Sequence, residues 1–212
     1  MKKSQTLHTA VLKCHPETYS QAIRSIETHV AWIDAGGLAI TYALTGDITR
    51  LRIPPLRPAR SADRLWEHTC FEAFVGVTGK SEYYEFNFSP SGEWAVYAFR
   101  RYRESAPVVG EERAHETTVR SDEKILELDA MVRLDYLPLI QPSASLRLAL
   151  SAVIEENSGM ISYWALEHPV GKPDFHHPDS FALELQPPDL KGGQAPGAAP
   201  TINPGRDETS GE

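Results

Sequence analysis

Residues 65–103 read LWEHTCFEAFVGVTGKSEYYEFNFSPSGEWAVYAFRRYR, and their alternation decides the fold. Within 82–89 (EYYEFNFS), Tyr84, Phe86 and Phe88 fall on one face while Tyr83, Glu85 and Asn87 fall on the other. That period of two is the signature of a strand with one face turned to a core. Residues 70–77 repeat it, with Phe71, Ala73 and Val75 opposite Cys70, Glu72 and Phe74. Ser89, Pro90, Ser91 and Gly92 then read as a hairpin turn, Ser and Pro starting it and Gly supplying a positive φ.

The same period runs outward from this segment. In 124–136, Leu126, Leu128, Ala130, Val132 and Leu134 alternate with Glu127, Asp129, Met131 and Arg133. In 145–155, Leu146, Leu148, Leu150, Ala152 and Ile154 share a face. Further strands are predicted at 7–13, 27–33, 38–44, 94–103, 114–120, 160–167 and 181–185. The total is eleven half-buried strands of antiparallel type, punctuated by turns at Gly36-Gly37, Thr45-Gly46-Asp47 and Asn157-Ser158-Gly159. At most one or two short helices are expected, the best stretch being 17–24. The fold class is therefore all-β, a two-sheet antiparallel β-sandwich of jelly-roll type.

Length and composition agree with one such domain. The chain has 212 residues, of which 41% are hydrophobic, enough for a substantial core. From 186 to 212 the sequence holds five Pro, five Gly and no aromatic residue. Such a stretch cannot bury enough apolar area to offset its ordering entropy, so we expect a sandwich domain over 1–185 and a disordered tail over 186–212. A net charge of −8 lacks the basic footprint of a nucleic-acid binder and disfavours anionic lipid. No apolar run approaches the roughly 18–20 residues that span a bilayer, and the first residues show no secretory pattern. A cytoplasmic protein with Cys14 and Cys70 as reduced thiols is expected.

Residues 65–103 also concentrate the candidate chemistry, with two of the four Trp, four of the eight Tyr and five of the seven Phe. Glu72, Glu85 and Asn87 could line one polar patch, since neighbouring strands lie about 4.8 Å apart. Carboxylates and amides beside aromatic rings suit a polyhydroxylated ligand, the oxygens accepting from hydroxyls and an indole stacking on a sugar's C–H face. If Glu72 and Glu85 faced one cleft about 5–10 Å apart, they could instead serve as a glycosidase pair. The second constellation is His168, Asp174, His176, His177 and Asp179 in a Pro-rich loop. It could hold a metal for acid–base or metal-assisted chemistry, tie the loop down through backbone hydrogen bonds, or bring His176 or His177 to a ligand site. Ser89–Gly92 is no nucleophile elbow and Gly36-Gly37 no phosphate loop, so no catalytic residue and no cofactor are assigned.

The segments LWEHTCFEAFV, YYEFNFSPSGEWAVY and SYWALEHPVGKPDFHHPDSFALEL resemble the bacterial DOMON-like domain-containing proteins of the DOMON and family 9 carbohydrate-binding superfamily. The resemblance covers roughly 61–185. It implies a β-sandwich whose concave face or end holds a small ligand, a sugar or a haem. It also implies that Trp66, six residues before Glu72, forms one aromatic wall and that Trp164 forms the other. His68 and Thr69 stand where many relatives have acidic residues, and Glu85 and Asn87 occupy the strand on which relatives carry a ligand-binding Arg. For haem, only Met131 and Met160 lie inside the domain, and neither pairs with a histidine by spacing. The expectation is a non-catalytic module for a sugar or other polar metabolite, with Trp66 and Trp164 stacking, Glu72, Glu85 and Asn87 hydrogen-bonding, and His68, His176 and His177 at the rim. The alternatives are an enzyme using the His168, His176 and His177 loop, a haem-binding domain, or an adaptor whose aromatic face binds a polypeptide.

Overall fold

The computed structural model describes residues 7–33, 36–108, 116–141 and 143–187. Most of the expected disordered tail, from 188 onward, lies outside these residues. The strands are β1 (His8–Cys14), β2 (Ile23–Ile33), β3 (Gly37–Gly46), β4 (Arg60–Ser61), β5 (Cys70–Val77), β6 (Tyr83–Phe88) and β7 (Glu93–Arg101). They continue with β8 (Glu104–Ala106), β9 (Glu116–Ser121), β10 (Ile125–Arg133), β11 (Leu146–Glu155), β12 (Ile161–Ala165) and β13 (Leu183–Leu185). Every predicted strand is present, and β4 and β8 are added to them. Among the described residues the helical elements are three 3₁₀ turns, Ile48–Arg50, Leu65–Glu67 and Pro178–Ser180. The helix expected at 17–24 is absent: a turn closes there through Thr18 N–H to His15 O, and Ile23 already belongs to β2. None of these helical elements is long and apolar enough to cross a membrane.

The hydrogen-bonded order is β4-β7-β6-β5-β11-β12-β1-β2-β3-β10-β9, with β13 beside β11 and β8 beside β7. The β4–β7 pair alone among these is parallel. The ribbon curls into two layers because β1 serves both: His8–Leu12 pairs with β2, then Lys13 and Cys14 pair with Ala165 and Trp164 of β12. The alternating apolar faces meet between the layers. Ile26, Leu38, Ile40, Tyr42, Leu44, Leu126 and Leu128 from one sheet pack on Phe71, Phe86, Phe88, Leu148, Leu150 and Ile154 from the other. Tyr42 satisfies its phenol in this core by donating to Glu72 O at 2.7 Å. The predicted turn at Ser89–Gly92 also forms, with Gly92 at φ +87 and its N–H bonded to Ser89 O.

β5, β6 and β11 are buried on both faces, not half-buried. The outer face of this sheet, with β7 and β12, carries Phe74, Tyr83, Phe99, Ala149, Val153 and Ala165, and this second apolar layer is closed by Phe175 and Phe181 from the loop after β12. The loop is tied in place at several points. His168 Nε2 bonds Lys13 O at 2.8 Å, His15 Nε2 bonds Gly171 O at 3.0 Å, and Asp174 accepts from Tyr102 and Arg103. It acts as a roof, and the polar residues of β5 and β6 lie beneath its edge.

Candidate functional site

Ser151, Glu72 and Asn87 stand directly opposite one another across β11, β5 and β6. Residues in such register leave a sheet on the same side, here the roofed outer side. Glu85 follows two residues before Asn87 on the same face, and Tyr97 of β7 is its cross-strand partner. Burial is nearly complete: Glu72 is 3% exposed, Glu85 6%, Asn87 0% and Ser151 1%. Alternation therefore brought Glu72, Glu85 and Asn87 together as expected from spacing, but buried under the roof rather than on an open face.

Hydrogen bonding in this buried cluster is incomplete. Asn87 Nδ2 donates to Glu85 Oε1 at 2.8 Å. Glu72 Oε1 and Asn87 Oδ1, both buried, find no partner, and the buried Ser151 hydroxyl has only the Glu72 carboxyl beside it. Buried polar atoms in native proteins are almost always satisfied, so two orphans on one face mark a place where something else belongs. The electrostatics are equally unusual. Burial and the neighbouring Glu85 carboxylate push Glu72 well above the usual carboxylate range. Burial raises Glu85 to about 7. Perturbed carboxylates of this kind gather at functional sites.

The surroundings define a mouth. The 3₁₀ turn Leu65–Glu67 packs over β5, β6 and β7 and holds Trp66 edge-on against Tyr97, ring centroids 5.5 Å apart. Trp66 remains 39% exposed, a large share for an indole. Tyr97 Oη donates to Asp63 at 2.5 Å. A cleft of about 250 Å³ shares Asp63 and Tyr97 with this mouth and adds Ser61 and Ser105. It exists because β4 covers only Glu93 and Trp94 of β7 and β8 begins at Ala98, leaving the edge between them open.

The other predicted residues are distributed unevenly. His176 lies under the roof, hydrogen-bonded through Nδ1 to Tyr83 Oη at 2.9 Å, with Nε2 3.6 Å from Glu85 Oε2. Burial, and Arg103 nearby, lower its pKa to about 4, so it is neutral at pH 7. His68 turns away to pair with Glu155 at 2.8 Å, beside Arg52 on the same carboxylate. His177 accepts from Asp179 N–H and caps the turn Pro178–Ser180. Trp164 is not brought to Trp66: it stands opposite Ala152, faces the inter-sheet core and donates to Ser162. The loop histidines each hold a different partner, and no three His, Cys, Asp or Glu side chains among the described residues form a metal-binding group. Spacing missed Tyr97, Asp63 and Ser151. Tyr97 and Ser151 could have been found by carrying the alternation of β6 into β7 and β11.

No protein-family model matches the chain, and no curated protein matches it. Among solved structures, a protein of Bacteroides uniformis ATCC 8492 described as a candidate carbohydrate-binding protein superposes with a TM-score of 0.63 at 13% identity. The match covers 82% of this chain and 83% of that one. A family 9 carbohydrate-binding module from Caldicellulosiruptor kristjanssonii, in complexes with cellotriose and with glucose, gives TM-scores of 0.47 at 9% and 10% identity. Those two matches cover 78% of this chain, and 75% and 76% of the module chains. This chain shares the β-sandwich fold of the Bacteroides protein.

Proposed function

We propose that this protein is a non-catalytic binding module of the DOMON-like type for a small polyhydroxylated, sugar-like ligand. The ligand sits at the mouth formed by Trp66, Tyr97 and Asp63 and reaches down to Glu72, Glu85 and Asn87. The observation that carries this reading is the set of orphaned buried acceptors on β5 and β6, under the 3₁₀ turn that holds the partly exposed Trp66. An aromatic face with polar oxygens at its foot matches the two surfaces of a sugar, apolar C–H and hydroxyl. Ser61 and Ser105 in the adjoining cleft offer further hydroxyl partners. The Bacteroides protein of like fold is itself described as a candidate carbohydrate-binding protein. In this reading Tyr97 takes the place expected of Trp164.

Tryptophan fluorescence and titration calorimetry with D-glucose, D-galactose, D-xylose and cellobiose test the proposal. At least one should bind, and Trp66→Ala should weaken it about tenfold or more through lost stacking. Binding that is indifferent to both Trp66→Ala and Glu72→Gln would place the ligand elsewhere. The absence of binding by every sugar would overturn the ligand class.

A further inference from the structure

We infer that the ligand carries a primary ammonium group, so that an amino sugar or comparable amino-polyol fits this buried cluster better than a neutral sugar. The inference rests on the proposed ligand site and goes on to specify its ligand. The orphaned atoms are Glu72 Oε1 and Asn87 Oδ1, two oxygens that can accept, with the Ser151 hydroxyl beside Glu72. Most of the donors around them are already engaged. The Asn87 amide donates to Glu85, the Tyr97 phenol to Asp63, and the Cys70 thiol lies 3.7 Å from Phe71 O. Tyr83 and His176 bond each other. A ligand hydroxyl would bring one donor and also lone pairs, for which only the second Asn87 N–H and the Ser151 hydroxyl are left to donate. An ammonium brings three donors and no lone pair.

Charge points the same way. Glu72 and Glu85 are two buried carboxyl groups whose neighbouring cations are committed elsewhere. Arg103 is bound to Asp174 at 2.8 Å, Arg64 to Glu67, and Arg147 lies over the Phe181 ring and donates to Lys80 O. His176, the basic group 3.6 Å from Glu85, is neutral at pH 7. A buried carboxylate is costly unless paired, and a cation entering the cluster supplies the partner. The rest of the ligand stays at the mouth, where Asp63 adds negative charge and the Trp66 and Tyr97 rings favour a cation nearby.

The test uses the full chain and three probes: D-glucosamine, D-glucose and N-acetyl-D-glucosamine, which keeps the ring but loses the charge. Calorimetry at pH 7 should show glucosamine binding about tenfold or more tighter than the other two, a difference expected of a charge-assisted contact. Glu72→Gln keeps the shape but cannot ionise to pair with an ammonium, and should erase the preference by weakening glucosamine binding more than glucose binding. Two results overturn the inference while the sugar-site proposal stands: glucose binding as tightly as glucosamine, or a glucosamine preference that survives Glu72→Gln. Failure of all three probes, with a native circular dichroism spectrum, overturns the inference and the sugar-site proposal together.

Discussion

Replacing Glu85 with Gln should make the protein more stable at alkaline pH, and the size of the gain follows from its surroundings. Burial holds the Glu85 carboxyl at about 7, against 4.5 for a solvated glutamate. A carboxyl raised on folding contributes stability that is fully present below pH 4.5 and lost as pH climbs through 7. That difference is about 3 kcal/mol at 1.36 kcal/mol per unit of pH. His176 slopes the other way, since its pKa of about 4 lies below the ordinary 6.5. Its contribution is present above 6.5 and lost as pH falls through 4, again by about 3 kcal/mol. In the native protein the two slopes oppose each other between roughly pH 4.5 and 6.5, so stability should be nearly level there. In Glu85→Gln only the His176 limb remains, and stability should rise with pH across that window. Relative to wild type, the variant should gain about 3 kcal/mol between pH 4 and pH 8, or roughly 6–12 °C in Tm for a domain of this size. Glu72 adds to the gain, because removing the Glu85 charge eases its own ionisation. Urea denaturation followed by tryptophan fluorescence at the two pH values measures the effect. An identical stability difference at both would refute the reasoning, because Glu85 would then ionise as freely folded as unfolded.

Trp164→Ala should cost about 3–5 kcal/mol in urea denaturation because the indole fills the inter-sheet core. Trp66→Ala should cost less than about 1 kcal/mol, so equal losses would contradict their different placements. Gly46→Ala should destabilise by about 1–3 kcal/mol or more, since an added Cβ would lie 2.1 Å from Ala22 O. A neutral result in a thermal melt would mean that the β2–β3 pairing yields there. Among the described residues the last strand ends at Leu185, and Gln186 still accepts from Trp32 through its carbonyl. Cutting after residue 190 should therefore leave Tm unchanged, and a drop of several degrees would mean that the later residues dock on the domain.

How much was legible in the sequence follows from what period-two alternation encodes. It marks which residues share a face, so the main strands and the grouping of Glu72, Glu85 and Asn87 could be read directly. It does not say what covers a face. The roof over β5, β6 and β11 comes from Phe175, Phe181 and His176, some ninety residues away from β6 in the chain. Strands β4 and β8 were invisible because two or three residues carry no period, and β7 alone makes them strands. At 17–24 a short helical pattern lost to tertiary pairing, as weak local propensity commonly does. Trp164 sits in a five-residue strand flanked by Tyr163, so both faces are aromatic and spacing cannot choose the inner one. Its pairing with Ala152 makes that choice.

The sharing of β1 between the two layers has a consequence for how the chain is made. Lys13 and Cys14 cannot find their partners until Ala165 and Trp164 have left the ribosome, about 150 residues later. β2 and β3 can zip as a hairpin long before that. The closing seam carries the largest loop entropy and forms last. Until it does, the nascent chain presents the free edge of β1 and its neighbouring apolar faces to other chains. Slow translation or crowding during that interval is therefore where this fold is most exposed to misassembly.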